Sequence, residues 1–331
     1  MLQVGLDVSP LALTHAGTAR YLDSLLSALE DEPGVRVERY AYGGKGRLRK
    51  VARDALWYPA VLPRKAGSVD VLHCPTQRAP FSSRVPLVVT IHDLAVLRHP
   101  EAFNRWTRSY SAFALPRVAR AARRIIVGSE FTRDELGELL SVPAEKLRVI
   151  PYGVGEPFSA DGPASEGDFV LAVSTLEPRK NLDLLIEGFR RAELRGLELR
   201  VVGASGWGGV RVNGEGVRWL TGIGDDELAR LYRGAACVAY VSLYEGFGLP
   251  VLEAMASGAP VVAPAGPPFQ EFAGDVAVGI DPRDASSIAA GLREAVERRG
   301  ELAALGPQRA REYTWERAAK AHVEVYREAA A

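Results

Sequence analysis

The chain has 331 residues, of which 47% are hydrophobic and 25% are charged, and its 41 basic residues balance 41 acidic ones. This length predicts two domains, and this composition is typical of a globular protein with a large core, which excludes disordered, collagen-like and small disulfide-stapled proteins. Charged residues interrupt every apolar stretch before about 18 residues, so we expect no membrane-spanning helix.

The front half alternates short β-rich runs with helical patterns. Its first ten residues, MLQVGLDVSP, predict a buried strand, and no basic segment precedes a long apolar run as in a secretory signal. The predicted strands are Leu2–Val8, Val69–His73, Pro86–Ile91, Arg124–Val127 and Leu147–Ile150, and the main helical patterns are Thr18–Leu29 and Arg105–Ala122. Strands that are apolar on both faces are typical of a parallel sheet covered by helices.

The back half repeats this alternation after a segment rich in glycine, proline, serine and acids at 151–168, which is typical of an interdomain linker. The predicted strands are Phe169–Val173, Leu197–Val202, Cys237–Val241 and Val261–Ala263, and the predicted helices are Leu182–Glu193, Asp225–Tyr232, Pro250–Ser257, Ala285–Arg298 and Trp315–Ala330. Two such halves predict an α/β protein with two Rossmann-like domains facing a cleft. We place these domains at 1–155 and 156–313, and we expect the helix in 314–331 to pack back on the N-terminal domain.

Charge is unevenly distributed between the halves. Residues 1–155 contain 22 basic and 15 acidic residues, which leaves 19 basic and 26 acidic residues in the remainder. A basic half suits an anionic partner, although ordinary surface variation is an equal alternative. The densest basic segment, 45–65, also contains Trp57 and Tyr58, and we expect it to contact an anionic membrane or the acceptor; the alternative is a solvated loop or helix. No basic and aromatic face lies on a known nucleic-acid-binding motif, so we expect no nucleic-acid partner.

Ligands of open α/β sheets bind beyond the carboxyl ends of the strands, so the junctions between strands and helices are the candidate sites. The sharpest junction reads YVSLYEGFGLPVLE at 240–253. Its glycines allow a tight turn, and the amides of Phe247, Gly248 and Leu249 at the following helix start suit an anion. Glu245 and Glu253 flank this turn, and carboxylates bind vicinal hydroxyls. The pattern predicts a site for a phosphate between two polyols; the alternative is a capped helix with two ordinary acids.

Other junctions add candidate residues. Arg179 and Lys180 stand together at a predicted helix start, where the helix dipole disfavours cations, so a bound dianion explains them better than a surface turn does. His92 follows a front-half strand, where catalytic and structural roles are equally supported. Gly17, after the first strand, allows a phosphate to approach, and the backbone near Ile223 is placed to read a nucleobase edge.

Several of these stretches resemble the family 4 glycosyltransferases, which have the GT-B fold. The strongest match is the run EGFGLPVLEAMASGAPVV from Glu245, in which seven residues separate two glutamates around a glycine turn. The supporting stretches are GLDVSP, TIHDL, VGSEFTRDEL, VIPYGV, STLEPRKN and IDPRD, so the resemblance covers about residues 1–325. The LEPRKN variant is most similar to a bacterial branch that includes mannosyl- and rhamnosyltransferases of surface polysaccharides.

The resemblance implies catalytic roles for four residues. Arg179 and Lys180 would hold the diphosphate of a nucleotide sugar and stabilise its charge as it leaves. Glu245 would contact the donor sugar near the reacting face, and His92 would lie across the cleft near the donor sugar and the acceptor.

The resemblance also implies a donor-binding set. Glu253 would bind the ribose hydroxyls, and Gly17 would approach the phosphates from the N-terminal domain. The remaining members are Ser174, Thr175, Ile223, Phe247, Gly248 and Leu249. Thr175 departs from the family pattern, because many relatives have an arginine there, and we assign the duty of that arginine to Arg179.

The implied activity is that of a retaining hexosyltransferase. Its partners would be a GDP-, UDP-, dTDP- or ADP-sugar and a saccharide or lipid-linked saccharide acceptor, in surface polysaccharide or glycolipid synthesis. We expect no cofactor and no metal site, since family members need no metal and the nucleotide sugar is a substrate. Cys74 and Cys237 form no CxxC pair, which fits a reducing compartment, so we expect a cytoplasmic protein with peripheral contact at the inner face of the membrane.

Two alternatives share the fold: a non-catalytic nucleotide-sugar-binding module and a GT-B nucleotide-sugar epimerase. A nicotinamide-linked dehydrogenase is not expected, because no GxGxxG motif follows the first predicted strand of either half.

Overall fold

The chain forms two compact units, which we describe separately. The structure, a computed structural model, describes residues 1–12, 17–43, 46–206, 208–210, 212 and 214–331, without the side chains at positions 47, 48 and 50. Lys45, in the predicted basic segment, therefore lies outside the described residues. The first unit comprises Met1–Gly153 and Trp315–Ala331, and the second comprises Val154–Thr314.

The first unit is built on a parallel sheet of six strands. These are β1 (Leu2–Asp7), β2 (Val35–Tyr40), β3 (Val71–Cys74), β4 (Leu87–Thr90), β5 (Arg124–Val127) and β6 (Leu147–Val149), in the spatial order β2-β1-β3-β4-β5-β6. The helices are α1 (Gly17–Glu30), α2 (Arg47–Ala52), α3 (Leu62–Lys65), α4 (Ala95–Arg98), α5 (Arg105–Ala121) and α6 (Glu130–Leu140), with a π-helical segment, Arg53–Val61, between α2 and α3. Helix α1 forms because its leucines recur at helical spacing and become its buried face.

The second unit is also built on six parallel strands. These are β7 (Phe169–Val173), β8 (Glu198–Val202), β9 (Val217–Leu220), β10 (Cys237–Ala239), β11 (Val261–Pro264) and β12 (Ala277–Ile280), in the spatial order β12-β11-β10-β7-β8-β9. The helices are α7 (Leu182–Ala192), α8 (Asp225–Gly234), α9 (Leu249–Ala256), α10 (Phe269–Phe272), α11 (Ala285–Glu297) and α12 (Arg299–Ala310). This is the doubly wound order of a Rossmann domain, which confirms the predicted α/β fold with two Rossmann-like domains.

Three strands were not predicted, and all three are sheet edges. In β2, the partly buried Val35 and Val37 alternate with the exposed Arg36 and Glu38, because one face of an edge strand meets solvent. Strands β9 and β12 occupy the two edges of the second sheet. A search for continuous apolar runs finds strands buried on both faces, and it therefore misses edge strands of this kind.

The C-terminal helix, α13 (Trp315–Ala330), belongs to the first unit and packs on α1. A network of buried hydrogen bonds holds α13 in this position. His322 Nε2 lies 2.9 Å from the hydroxyl of Tyr21, and the hydroxyl of Tyr326 lies 2.8 Å from His73 Nδ1. Thr90 links these two pairs, because its Oγ1 lies 3.2 Å from the Tyr21 hydroxyl and 2.9 Å from His73 Nε2. The end of the sequence is thus tied to the central strands of the first sheet.

The predicted basic segment 45–65 differs from the expectation in one respect. Trp57 and Tyr58 are buried in the first unit, with 4% and 2% of their surface exposed, so the prediction that they face an interface is wrong. The large apolar side chains that this segment exposes are instead Val51, Leu56 and Val61. Among the residues that the structure describes, no helix is long and apolar enough to cross a bilayer.

Candidate active site

Two of the strand-to-helix junctions predicted from the sequence, those that contain Arg179 with Lys180 and Glu245, lie side by side in the second unit. Strand β7 runs into the segment with Arg179 and Lys180, and β10 runs into the segment with Glu245. These strands are adjacent and parallel, and the chain continues from β7 to one side of the sheet and from β10 to the other. This is the topological switch point, where the loops diverge and leave a crevice for a ligand.

Arg179, Lys180 and Glu245 form one ion cluster there. The Lys180 Nζ lies 2.5 Å from Glu245 Oε1, and an Arg179 guanidinium nitrogen lies 3.0 Å from the same oxygen. Lys180 also donates to the Tyr240 hydroxyl at 3.0 Å, and its ammonium lies 5.1 Å from the centre of the Tyr240 ring. Residues 65 positions apart in the sequence are thereby brought into contact at the sheet edge.

Glu177 completes the cluster, and sequence reasoning did not single it out. Its Oε1 lies 2.7 Å from the other terminal nitrogen of Arg179, and only 5% of its side chain is exposed. Two cations therefore face two carboxylates in a site that holds no net charge. The signal was present in the stretch STLEPRKN, since an acid two residues before an arginine at a turn is placed to hold that arginine.

The charges of this cluster are mutually stabilised. Burial alone would raise the pKa of Glu245, but Arg179 and Lys180 outweigh it and lower that pKa to about 2. Burial would likewise lower the pKa of Lys180, yet the attraction of Glu245 raises it on balance. Burial, followed by the charge of Glu245, raises the pKa of Tyr240 to about 12, so this hydroxyl keeps its proton. Both cations are therefore fully charged at neutral pH.

The turn after Glu245 is shaped by its glycine. Gly248 has a φ of 121°, a conformation that side chains disfavour, and a Cβ there would lie 2.7 Å from the ring of Phe269. Helix α9 begins at Leu249, directly after this glycine. Phe247 packs inward and stacks on Phe272 with ring centres 4.7 Å apart. What this turn can offer a ligand is therefore backbone, since the side chains of Phe247 and Leu249 are buried.

Glu253 lies one turn into α9 and is buried, with 2% of its surface exposed. Tyr232, on α8, donates a hydrogen bond from its hydroxyl to Glu253 Oε2 at 3.2 Å. A buried carboxylate held by a tyrosine has a fixed orientation, which suits recognition of hydroxyl groups. Tyr232 had no signal in the sequence beyond the apolar periodicity of its helix.

Ser174 and Thr175 lie where β7 leaves the sheet, and both are partly exposed. The Ser174 hydroxyl oxygen is buried and has no hydrogen-bond partner among the described residues. The loop after β8 packs against this segment so closely that a Cβ at Gly203 would lie 1.8 Å from the Ser174 carbonyl oxygen. Glycine at this position is therefore a packing requirement.

Two further predicted residues lie at the ends of helices. Ile223 is partly exposed just before α8, and Gly17 is the exposed first residue of α1 in the first unit. A Cβ built on Gly17 would meet no atom of the described residues within 4 Å.

His92 follows β4 in the first unit and is partly exposed. Its Nδ1 lies 2.6 Å from the hydroxyl of Tyr152, and its Nε2 lies 2.9 Å from the carbonyl oxygen of Pro75. Burial lowers the pKa of His92 despite the opposing charge of Asp93, so the ring is neutral at pH 7. Both ring nitrogens are thus engaged within the first unit.

Models of two protein families match this chain, and together they cover almost all of it. The model described as Glycosyltransferase Family 4 matches residues 5–155, and the model described as Glycosyl transferases group 1 matches residues 157–313. The boundary between the two matches falls within three residues of the point where the chain leaves the first unit.

Individual proteins of these families are similar over most of the chain. The O-antigen chain mannosyltransferase B of Escherichia coli is 28% identical over 72% of this chain and 70% of its own length. The D-inositol 3-phosphate glycosyltransferase of Actinosynnema mirum is 30% identical over 74% of this chain and 67% of its own length. Among solved structures, HepE of Anabaena in complex with UDP and glucose superposes with a TM-score of 0.76 at 18% identity, covering 99% of this chain and 100% of that one.

Proposed function

Because the chain belongs to the family 4 and group 1 glycosyltransferases of the GT-B fold, we propose that it transfers a hexosyl group from a nucleotide sugar to a hydroxyl group, with retention of the anomeric configuration. The acceptor in this proposal is a saccharide or a lipid-linked saccharide that is extended during surface polysaccharide or glycolipid synthesis. The similarity to an O-antigen mannosyltransferase supports this setting, and the similarity to HepE supports UDP as one donor nucleotide to test.

The observation that carries the proposal is the ion cluster at the switch point. A departing diphosphate develops negative charge, and the site places a guanidinium and an ammonium where two strand ends meet. Arg179, whose terminal nitrogens also contact Glu177 and Glu245, and Lys180 would place two positive charges beside the phosphate oxygens. Their carboxylate partners, Glu177 and Glu245, hold both cations in place before the ligand arrives.

The reaction proposed for this site is a front-face displacement. The acceptor oxygen forms a bond to the anomeric carbon on the side from which the diphosphate leaves, and the bond between that carbon and the phosphate oxygen breaks. The proton of the acceptor hydroxyl moves to an oxygen of the departing diphosphate. Charge grows on the leaving group as the bond breaks, so Arg179 and Lys180 stabilise the transition state more than the ground state.

The other candidate residues are proposed to bind the donor. The buried Glu253 would accept hydrogen bonds from the ribose hydroxyls, with Tyr232 fixing its second oxygen. Backbone amides at Phe247–Leu249 and the backbone at Ile223 would contact phosphate and base, and Gly17 would contact phosphate from the first unit. No metal enters this proposal, since the two cations supply the positive charge that the leaving group requires.

A screen of donors tests the proposal. We expect one of the GDP-, UDP-, dTDP- or ADP-sugars to raise the melting temperature, because a ligand at 100 times its dissociation constant adds about 2.7 kcal/mol of stability. Glu253→Ala should abolish this shift, whereas Glu245→Ala should retain the shift and lose turnover. The stabilising donor is then incubated with saccharide and lipid-linked acceptors, and the product is analysed by mass spectrometry and NMR.

The outcomes of this screen separate the alternatives. Binding without transfer to any acceptor supports a binding module, and isomerised nucleotide sugar without an acceptor supports an epimerase. Equal, small effects of the two glutamate substitutions on binding and turnover contradict the assignment of the site.

We also propose peripheral contact with an anionic membrane at the cytoplasmic face, through residues 45–65. The segment contains the exposed Val51, Leu56 and Val61 and, after them in the sequence, the exposed Arg64 and Lys65, and an anionic interface binds apolar and cationic groups of this kind. Leu56→Glu should weaken sedimentation of the protein with phosphatidylglycerol vesicles. The matched control is Leu305→Glu, which alters an exposed leucine of the second unit. Equal binding to purely zwitterionic vesicles would contradict the electrostatic part of this proposal.

A further inference from the structure

The first unit has a topological switch point of its own, between β1 and β3. These strands are adjacent and parallel, and the chain continues from β1 to β2 on one side of the sheet and from β3 to β4 on the other. Ligands of open α/β sheets bind beyond the strand ends at such a point. The carboxylate of Asp7, at the end of β1, accepts hydrogen bonds from Ser9 and from the hydroxyl of Tyr58 at 3.0 Å. Tyr58 thereby holds the π-helical segment Arg53–Val61 at the end of β1.

Arg53, Asp54 and Arg78 meet near these strand ends and form an arginine cluster. Arg53 and Asp54 begin the segment that Tyr58 holds, and Arg78 follows the end of β3. Asp54 Oδ1 lies 3.1 Å from Arg53 Nε and 2.5 Å from a terminal nitrogen of Arg78. The side chains of Arg53 and Asp54 are 7% and 3% exposed, and that of Arg78 is 25% exposed. The cluster is therefore buried at one end and reaches the surface through Arg78.

Most hydrogen-bond donors of the two arginine side chains are unused. Among the described residues, the Arg53 side chain donates only through Nε and that of Arg78 only through one terminal nitrogen, in both cases to Asp54. A guanidinium has more N–H groups than these bonds use. One carboxylate between two guanidiniums also leaves a positive charge in excess, since hydrogen bonds within the first unit engage the carboxylate of Asp7. An anion with several acceptor oxygens, such as a phosphate, would satisfy both the donors and the charge.

Helix α5 extends the arginine cluster with an aromatic face, which consists of Trp106, Tyr110 and Phe113. Residues at this spacing lie on one side of a helix. Arg78 connects the cluster to this face, because its guanidinium carbon lies 5.0 Å from the centre of the Tyr110 ring. The rings of Trp106 and Tyr110 are stacked with their centres 6.3 Å apart. Trp106 is 53% exposed and Phe113 is 50% exposed, and exposed apolar surface of this kind indicates a binding partner.

The charge of α5 identifies the chemistry of that partner. The helix contains four exposed arginines and no acidic residue; these are Arg105, Arg108, Arg117 and Arg120. Four like charges oppose packing of this face on a second copy of the chain. Arginines among exposed aromatic rings suit instead the headgroups and apolar chains of an anionic lipid.

We propose that Arg53 and Arg78 bind the phosphate of a lipid-linked acceptor, whose apolar chain lies against the aromatic face of α5. This inference rests on the proposed function and deepens it, because it selects the lipid-linked acceptor over the free saccharide. The guanidiniums donate to the phosphate oxygens, and Asp54 holds the two arginines together before the ligand arrives. Both arginines position the acceptor and take no part in bond making or breaking.

Calorimetric titration of the full chain tests the site with octyl phosphate, inorganic phosphate and octanol as probes. We expect octyl phosphate to bind at least about 10-fold more tightly than either of the others, because only it has both the anion and the chain. Arg78→Met should weaken its binding by about 10- to 100-fold. The matched control is Arg36→Met, which alters an exposed arginine of β2 and should leave binding unchanged.

Trp106→Ala tests the aromatic face without disturbing the core. It should weaken the binding of octyl phosphate by about 10-fold and leave that of inorganic phosphate unchanged, because it removes only apolar contact. Equal affinity of the wild type for octyl phosphate and inorganic phosphate overturns the inference, as does unchanged binding in Arg78→Met. Loss of binding in Lys180→Met but not in Arg78→Met also overturns it, since the phosphate is then held in the second unit. So does a dimer that Trp106→Ala converts to a monomer in analytical ultracentrifugation, since the face then binds a second copy.

Transfer assays separate this inference from the proposed function. With the stabilising donor, the wild type should have a lower KM for a sugar linked to octyl phosphate than for the octyl glycoside of the same sugar. Arg78→Met should remove this difference and leave the KM of the donor unchanged. Equal KM values for the two acceptors in the wild type overturn the inference and leave the proposed function intact. If the wild type transfers no sugar, the proposed function fails, and the titrations still decide whether the arginine cluster binds a lipid phosphate.

Discussion

Lowering the pH should loosen the C-terminal helix α13 through His322. This side chain is fully buried, its Nδ1 donates to the carbonyl oxygen of Ala318 at 2.7 Å, and its Nε2 accepts from Tyr21. Burial lowers its pKa from 6.5 to about 4, so the folded chain keeps the ring neutral at a pH where the unfolded chain protonates it. The stability supplied by His322 is therefore complete above pH 6.5 and is lost as the pH falls toward 4.

The magnitude follows from the difference between the two pKa values. Because the unfolded state takes up this proton more readily, His322 alone should lower the free energy of unfolding by about 2 kcal/mol at pH 5 and by about 3 kcal/mol at pH 4. His73 contributes in the same direction, since burial lowers its pKa well below the usual value. The wild type should therefore lose stability more steeply than His322 alone predicts.

Hydrogen exchange measured by mass spectrometry on peptides from 315–330 reports the free energy of opening of α13. After correction for the intrinsic pH dependence of exchange, the wild type should lose at least about 2 kcal/mol between pH 7 and pH 5. His322→Gln should start from a lower stability but lose about 2 kcal/mol less over this range. An identical slope in His322→Gln and the wild type would refute the reasoning.

Three further predictions concern the second unit and the reaction. Gly203→Ala should destabilise the second unit by about 3 kcal/mol in chemical denaturation, because its Cβ would collide with the Ser174 carbonyl. Gly300→Ala, whose Cβ would meet no described atom within 4 Å, should be neutral or slightly stabilising. Lys180→Met should lower kcat by about 100- to 1000-fold and raise the pKa of Glu245, whereas the exposed Lys320→Met should do neither; a Lys180→Met variant with normal turnover would contradict the diphosphate role. Activity should survive dialysis against a chelator, and complete loss restored only by magnesium or manganese would contradict catalysis by the two cations alone.

The central strands, the principal helices and the turn between Glu245 and Glu253 could be predicted from the sequence alone. These features are local: strands buried on both faces are apolar throughout, a buried helix face repeats every three to four residues, and a tight turn requires glycine at a particular backbone angle. Arg179, Lys180 and Glu245 could be predicted as site residues for a similar reason, because each follows a strand that is recognisable in the sequence.

The tertiary structure decided which of these local features meet. The edge strands β2 and β9 contain exposed charged residues and β12 has only four residues, so pairing with β1, β8 and β11 identifies these segments as strands. Glu245 became a partner of Arg179 because β7 and β10 lie side by side in the sheet, a neighbour relation that strand order sets and no local pattern encodes. Glu177 lies two residues before Arg179, so that contact is local. The hydrogen bond between Tyr21 and His322 joins residues 301 positions apart. Packing of α13 on α1 buries both polar groups, and buried polar groups require hydrogen-bond partners.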